Sequence, residues 1–208
     1  ALEKVAGFFS GLKDAVTGSG TDGTGIRQEF IYEEDSVEGA VFELHAKDTI
    51  YSPDGAVDEA GNPVVRYQKD DLVATLTTDA EGTSVVNNLP LGTFYLKETK
   101  AGENFVLNTE QKEFTLSAGD DTAAGVYEGV TYKNERQKIK ISIHKKDSIS
   151  DKPLEGVTFE LYAGEDILSA QGKILIPKDT LIETKTTDEE GNLTFDSEVC
   201  HGKYYVKE

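Results

Sequence analysis

Apolar and polar residues alternate with a period of two in short runs along most of this chain. In VFELHA, the residues Phe42, Leu44 and Ala46 fall on one side, and in TFYLKE the residues Phe94 and Leu96 do the same. This alternation predicts β-strands that have one face in a core. The segments TTDAEG and TTDEEG supply Asp at the entry and Gly where a positive φ is wanted, which is typical of turns. The pattern predicts an all-β fold of the sandwich type.

The strand pattern occurs twice. VEGAVFEL is followed by LEGVTFEL, with Phe42 and Phe159 at an offset of 117 residues. The strands GTFYLKE and GKYYVKE end at Glu98 and Glu208, at an offset of 110. The two offsets differ because the first copy has an insertion between these strands, around AVDEAGNPVVRYQ. Surface loops tolerate such insertions. A repeat of this length predicts tandem domains rather than a solenoid.

The repeat sets the predicted domain boundaries at 26–135 and 136–208. The first copy continues after its Glu strand with KEFTLSAG and GVYEGVTYKNE, whereas the second copy stops there, so the second sandwich is predicted to lack its last strands. Residues 1–25 differ from both copies. Their apolar positions near helical spacing predict a short amphipathic helix followed by a flexible linker, and the alternative is the tail of a preceding domain. These positions are Leu2, Val5, Phe9, Leu12 and Val16.

Charge and composition exclude several kinds of partner. Acidic residues outnumber basic ones 39 to 21, which gives a formal net charge of -18 and argues against nucleic acid and anionic membranes. Cys200 is the single cysteine, so no intrachain disulfide can form. The three histidines and this cysteine fit no zinc spacing, and the acidic loop YSPDGAVDEAGN matches no ordered calcium motif. We therefore expect no metal and no cofactor.

The ordered combination KKD, PLEGVTFELYA, TTDEEGNLTF and GKYYVKE resembles the Cna-B, or SpaA-like, repeat of Gram-positive surface proteins and pilins. The resemblance covers nearly everything after Gly25. The first copy has ETKAGENF where the family usually has E-T-x-A-P-x-G-Y, so Gly102 and Phe105 depart from its pattern. The resemblance implies tandem prealbumin-like, Ig-like β-sandwiches that serve as stalk or spacer modules. It also implies an extracellular, cell-wall-anchored protein whose anchor lies outside this sequence, with no enzymatic turnover.

Many domains of this family carry an internal isopeptide bond, in which a Lys on the first strand joins an Asn or Asp on the last and a Glu catalyses the reaction. In the second copy the resemblance implies Lys145 as nucleophile and Glu208 as catalyst. Lys145 alternates with Ile141 and Ile143 on one face of its strand, whereas Lys146 points the other way. The acceptor is expected beyond Glu208.

The first copy has the complementary set of residues. Glu98 matches the catalyst, and Asn134 stands in the acceptor position at the end of the last strand. However, alignment of the first strands puts Glu33 or Gln28 where Lys145 stands, and neither can act as the amine. We therefore expect no crosslink in the first copy, with Glu98 a relic and Asn134 unused. The exception would be a lysine recruited from the leader, Lys4 or Lys13.

The alternative function is adhesion. The insertion Val57–Tyr67 would then present a contact patch, with aromatics such as Tyr51 and Tyr67, to a host protein or glycan. Otherwise the expected partners are neighbouring domains of the same surface protein. A third class, the accessory sandwich of a carbohydrate-active enzyme, would need a catalytic domain outside this sequence.

Overall fold

The computed structural model describes residues 1–13, 25–118, 126, 128–169 and 172–208. Over these residues the fold consists of β-strands without a helix, which confirms the all-β prediction. The strands in the first part of the chain are β1 (Leu2–Lys13), β2 (Glu29–Ser36), β3 (Val41–Ala46), β4 (Ile50–Tyr51), β5 (Val65–Tyr67), β6 (Leu72–Thr77), β7 (Thr83–Ser84), β8 (Gly92–Lys100), β9 (Gln111–Leu116) and β10 (Val130–Asn134). They are followed by β11 (Ser142–His144), β12 (Thr158–Ala163), β13 (Ile167–Leu168), β14 (Ile174–Ile176), β15 (Leu181–Thr186), β16 (Asn192–Thr194) and β17 (Tyr204–Lys207).

The chain divides into two compact units that are interleaved along the sequence. The first module comprises Ala1–Gly7 and Glu34–Gln137, and the second comprises Phe8–Glu33 and Lys138–Glu208. This division differs from the sequence-based boundaries at its N-terminal side. The start of the leader belongs to the first module, and the residues that follow it belong to the second.

The first module contains two sheets of its sandwich and a small ribbon. One sheet has the order β6-β3-β8-β9, and the other has the order β10-β1-β2 with β7 also on β1. Of β1 and β2, the first module includes the residues up to Gly7 and from Glu34 onward. Strand β1 runs parallel to β10, in a register that places Leu2 beside Val130 and Ala6 beside Asn134. The first and last strands of the module are therefore neighbours. Strands β4 and β5 form the separate ribbon.

The second module repeats part of this plan. Its larger sheet has the order β15-β12-β17, which corresponds to β6-β3-β8, and β11 pairs with β16 as β1 pairs with β7. Its core is built around large apolar side chains that include Phe159, Leu161, Ile182 and Phe195. The ribbon β13-β14 corresponds to β4-β5.

The prediction of a helical leader is wrong. Leu2–Lys13 is a strand in which Leu2, Lys4 and Ala6 are buried in alternation, so the relevant period is two rather than 3.6. Pairing with β10 satisfies backbone groups of Leu2–Ala6, and this long-range contact outweighs the weak helical spacing of the apolar residues. Val16 and most of the predicted linker lie outside the described residues.

The predicted strand faces are confirmed. Phe42, Leu44 and Ala46 on β3 are buried, as are Phe94 and Leu96 on β8. Since β3 pairs with β8 in the centre of its sheet, these two strands supply the inward face of the first sandwich. Glu98, the last residue of the run TFYLKE, lies on this same inward face.

Candidate functional site

The site of interest in the first module is a buried cluster formed by three polar side chains. Lys4 on β1, Glu98 on β8 and Asn134 on β10 are 0%, 4% and 3% exposed. The parallel pairing of β1 with β10 brings the lysine and the asparagine together, and the facing sheet supplies the glutamate. The first strand, the last strand and the predicted catalyst strand therefore meet at one point.

The three side chains are in direct contact. The Lys4 Nζ lies 2.8 Å from Glu98 Oε1 and contacts Asn134 Oδ1. The Asn134 Nδ2 donates to both Glu98 oxygens, at 3.1 Å and 2.9 Å. Glu98 thus touches both the amine and the nitrogen of the side-chain amide. A backbone donor orients it further, since the N–H of Asn108 donates to Glu98 Oε2 at 2.7 Å.

Aromatic rings wall the cluster. The Lys4 Nζ stands 5.5 Å from the ring centroid of Phe42 and 5.6 Å from that of Tyr132, and the two rings are themselves 4.9 Å apart. The Tyr132 hydroxyl donates to the carbonyl of Leu96 at 2.6 Å, which fixes this ring against β8. These contacts hold the amine in a position shielded from water.

Burial alters the titration of groups in this cluster. The loss of hydration lowers the pKa of the Lys4 amine, and its hydrogen bond to Glu98 opposes that shift. Burial also raises the pKa of Tyr132 to about 12, so its hydroxyl stays protonated at neutral pH. The lowered pKa of Lys4 increases the neutral fraction of its amine, which is the nucleophilic form.

The arrangement is suited to amide exchange between side chains. A neutral amine beside an amide can attack the amide carbon, and a carboxyl group that touches both nitrogens can move the proton between them. The packed strands hold the reacting groups in contact and so remove much of the entropic cost.

Lys4 occupies in the first module the place that Lys145 occupies in the second. The Lys4 N–H donates to the carbonyl of Gly82 and the Lys145 N–H to that of Gly191, each at 2.8 Å. The lysine carbonyls in turn accept from the N–H groups of Val37 and Leu154, each at 3.0 Å. Gly82 and Gly191 are the glycines of the TTDAEG and TTDEEG turns, with φ of 69° and 74°.

These turn glycines are required by the lysine strands. A Cβ on Gly82 would stand 2.5 Å from the Lys4 carbonyl oxygen, and one on Gly191 would stand 2.4 Å from that of Lys145. Both distances are too short for a side chain, and the positive φ adds strain for any other residue. The matched turns therefore identify the same strand position in both modules independently of the lysines.

The second module brings its two sequence-predicted residues together. The Lys145 Nζ lies 2.7 Å from Glu208 Oε2. The environment differs from that of Lys4 and Glu98, since these side chains are 29% and 55% exposed.

Sequence reasoning singled out Glu98 and Asn134, aligned Glu33 or Gln28 with the lysine position and named Lys4 as an exception; the structure places Lys4 beside Glu98 and Asn134. Glu33 and Gln28 fall in the stretch Phe8–Glu33, which belongs to the second module. Lys13 is exposed at the end of β1 and does not enter the cluster. The signal that could have found Lys4 is the alternation of Leu2, Lys4 and Ala6, which the helical interpretation obscured.

The two tyrosines named for the adhesion alternative lie on the ribbon β4-β5. Tyr51 pairs with Val65 and Tyr67 pairs with the buried Ile50, with a register shift between Ile50 and Tyr51. Tyr51 is 53% exposed and is the more accessible of the two.

No group of three or more His, Cys, Asp or Glu side chains is arranged to hold a metal ion in the described part of the chain. The described residues also include no helix with the length and apolar character needed to cross a bilayer.

Comparison with known proteins gives a family match over most of the chain. The profile of the SpaA family, described as a prealbumin-like fold domain, matches residues 31–129 and 139–208. The first matched range contains Glu98, but it begins after Lys4 and ends before Asn134. Among curated protein sequences, none matches the chain significantly.

Several solved structures are similar to this chain. The Bacillus anthracis TIE protein is 20% identical with a TM-score of 0.51, and the match covers 88% of this chain and 31% of that one. A Streptococcal ancillary pilin is 19% identical with a TM-score of 0.34, over 82% and 48%. A variant of the shaft pilin SpaA from Lactobacillus rhamnosus GG is 18% identical with a TM-score of 0.32, over 76% and 75%. This chain therefore spans about a third of the first structure and about half of the second.

Proposed function

The chain belongs to the SpaA family of prealbumin-like fold domains, and we propose that its two modules are structural stalk or spacer units of a modular bacterial surface protein. Family membership and the tandem β-sandwich architecture support this role. The protein would then be extracellular, and its partners would be neighbouring domains of the same surface protein. Two similar structures come from proteins described as an ancillary pilin and a shaft pilin.

The first module carries a self-crosslink in this proposal. The neutral amine of Lys4 attacks Cγ of Asn134, and a Nζ–Cγ bond forms. Glu98 takes a proton from Nζ and delivers one to Nδ2, the Cγ–Nδ2 bond breaks, and one ammonia leaves. The observation that carries the proposal is the direct contact of Glu98 with both nitrogens inside a buried cluster. The reaction happens once per chain, so it is maturation rather than enzymatic turnover.

The crosslink would suit a stalk because it joins β1 to β10, the first and last strands of the module. A covalent tie between the ends of a domain restricts the unfolded chain in the way a disulfide does. Since Lys4 and Asn134 are separated by 130 positions, nearly the whole first module lies within the closed loop. A force that pulls on the two ends of the module would then be carried by the covalent bond rather than by the packing of the sandwich.

The second module has residues for two of the three roles, the amine and the carboxyl group, in the corresponding positions. We assign Lys145 as the amine and Glu208 as the carboxyl group, on the 2.7 Å contact and the matched turn geometry. An Asn or Asp acceptor on a neighbouring strand would complete this site.

Intact-mass measurement on the full chain tests the first-module crosslink. Wild type is expected to weigh one ammonia less than its sequence, and Lys4→Arg is expected to have the full sequence mass. Lys13→Arg is the matched control, because Lys13 is an exposed lysine on the same strand, and it should keep the deficit. A wild-type protein of full sequence mass would refute the crosslink.

A further inference from the structure

Part of the N-terminal region is built into the second module although it precedes the first module's main body in sequence. We call residues 8–13 and 25–33 the N-terminal strand pair, because they comprise parts of the neighbouring strands β1 and β2 and the four residues that precede β2. Phe30 is 8% exposed and belongs to the same buried cluster as Phe159, Leu161 and Phe195. The strand pair therefore contributes a core side chain to a sandwich whose other strands lie after residue 138.

Backbone pairing extends the sheet of the second module. The Gln28 N–H donates to the carbonyl of Ile182, and the Thr184 N–H donates to the carbonyl of Ile26, each at 2.8 Å. Arg27 and Glu183 form the antiparallel bridge between these bonds. The strand pair thus covers an edge of β15, the outer strand of the order β15-β12-β17.

Side-chain bonds join the strand pair to the segment that precedes β17. The Tyr32 hydroxyl donates to the carbonyl of Glu198 at 2.6 Å, and the Ser197 hydroxyl donates to the carbonyl of Gln28 at 3.1 Å. The buried carboxylate of Glu183 holds the same segment, since it accepts from the N–H groups of Asp196 and Ser197 at 3.0 Å and 2.8 Å.

The described residues of the first module differ from those of the second in two respects. The position of Glu183, opposite Leu161, is taken in the first module by Ala74, opposite Leu44. The first module also has β9 and β10 in its sheets, and the described residues of the second include no strands that correspond to them.

An aromatic contact joins the two parts of the strand pair. The ring centroids of Phe9 and Phe30 are 5.1 Å apart.

We propose that the N-terminal strand pair is a donated partner of the second module, which accepts it along the edge of β15 and needs it for stability. The surface it binds fits an extended strand that pairs through its backbone and inserts one aromatic side chain into the core. The second module is then built from two separate stretches of the sequence. This inference stands on the contacts within the second module and does not require the Lys4 crosslink.

Hydrogen exchange on the full chain tests the donation, with two neighbouring residues of β2 as matched variants. Phe30→Ser should speed exchange about a hundredfold in peptides covering 158–163 and 192–195, the effect expected when a buried Phe is removed. Peptides covering 41–46 in the first module should be unchanged. Ile31→Ser changes a residue that is 37% exposed, and it should leave both modules protected. Unchanged exchange at 158–163 in Phe30→Ser, or equal loss in both modules, would overturn the proposal.

A disulfide tests the pairing register and whether it is made within one chain. Ile26→Cys with Thr184→Cys, in a Cys200→Ser background, places two thiols on the positions that adjoin the Arg27–Glu183 bridge and are joined by the Thr184 N–H to Ile26 carbonyl bond. Under mild oxidation we expect a bond within the monomer, seen as a reducible shift in mobility. Failure to form any bond, or a bond that joins two chains, would contradict donation within the chain.

Discussion

The amine of Lys4 lies 2.8 Å from the carboxylate oxygen Oε1 of Glu98, and both side chains are fully enclosed. If both groups were charged, burial of the pair would cost more free energy in lost hydration than their attraction commonly recovers. Asn134 contacts both groups, and its side-chain amide is the acceptor with which Lys4 would react in the proposed crosslink.

Preventing the crosslink should destabilise the first module. Glu98→Gln keeps the shape of the side chain but cannot move a proton between the amine and the amide. By the loop-entropy argument for a covalent tie, the free energy of unfolding should fall by about 5 kcal/mol. Chemical denaturation, monitored by hydrogen exchange of peptides from the first module, would measure this change in the free energy of unfolding. Glu208→Gln serves as control and should leave the first module unchanged.

The pH dependence of an uncrosslinked variant should reveal the lowered pKa of Lys4. In Asn134→Ala the amine stays free and buried, and the unfolded chain has its ordinary lysine pKa of 10.5. The unfolded state then binds more protons than the folded state between the lowered pKa and 10.5. Stability should therefore rise with pH across that window, by up to about 1.4 kcal/mol per pH unit.

The matched control for this titration is the double variant Lys4→Met with Asn134→Ala. Other lysines titrate equally in both proteins, so the difference between their unfolding free energies isolates Lys4. Parallel curves from neutral pH to pH 10 would show that the Lys4 pKa is not lowered by burial.

The sequence predicted much of the fold because strand alternation is local. Phe42, Leu44 and Phe94 mark their strands without any knowledge of the partners, and Glu98 follows from the same run. Lys4 was assigned to a leader because its strand is separated from the rest of its module by residues of the other module. That interleaving is set by long-range packing, such as the burial of Phe30, which no local pattern encodes.

The turn glycine beside the lysine strand should be irreplaceable. Gly82→Ala would place a Cβ 2.5 Å from the Lys4 carbonyl oxygen, so β1 must shift and the amine must move with it. We expect slower crosslinking and a loss of stability well above the roughly 1–2 kcal/mol that positive φ alone costs. Gly39→Ala is the control, since Gly39 has a similar φ of 74° with open space around it. Equal effects of the two substitutions on rate and stability would contradict this account.

Lys145 should form no isopeptide bond in this chain, and it should form one when an acceptor strand is supplied. Lys145→Arg should leave the mass of the 208-residue protein unaltered, since its partner Glu208 is half exposed and no acceptor amide adjoins the pair in the described structure. In a variant extended at its C-terminus by a strand that supplies an Asn or Asp acceptor, we expect a second loss of ammonia or of water. Lys145→Arg should abolish that second loss, and its persistence would show that another lysine reacts.

The central claim is a bond between two named side chains, so the most direct test is to identify the linked peptides. Tandem mass spectrometry of a protease digest should find the peptide that contains Lys4 joined to the peptide that contains Asn134, with one ammonia missing. The fragment ions should place the link on these two residues, and the joined peptide should be absent from Glu98→Gln. Recovery of both peptides as separate, unmodified species from the wild-type protein would contradict the account.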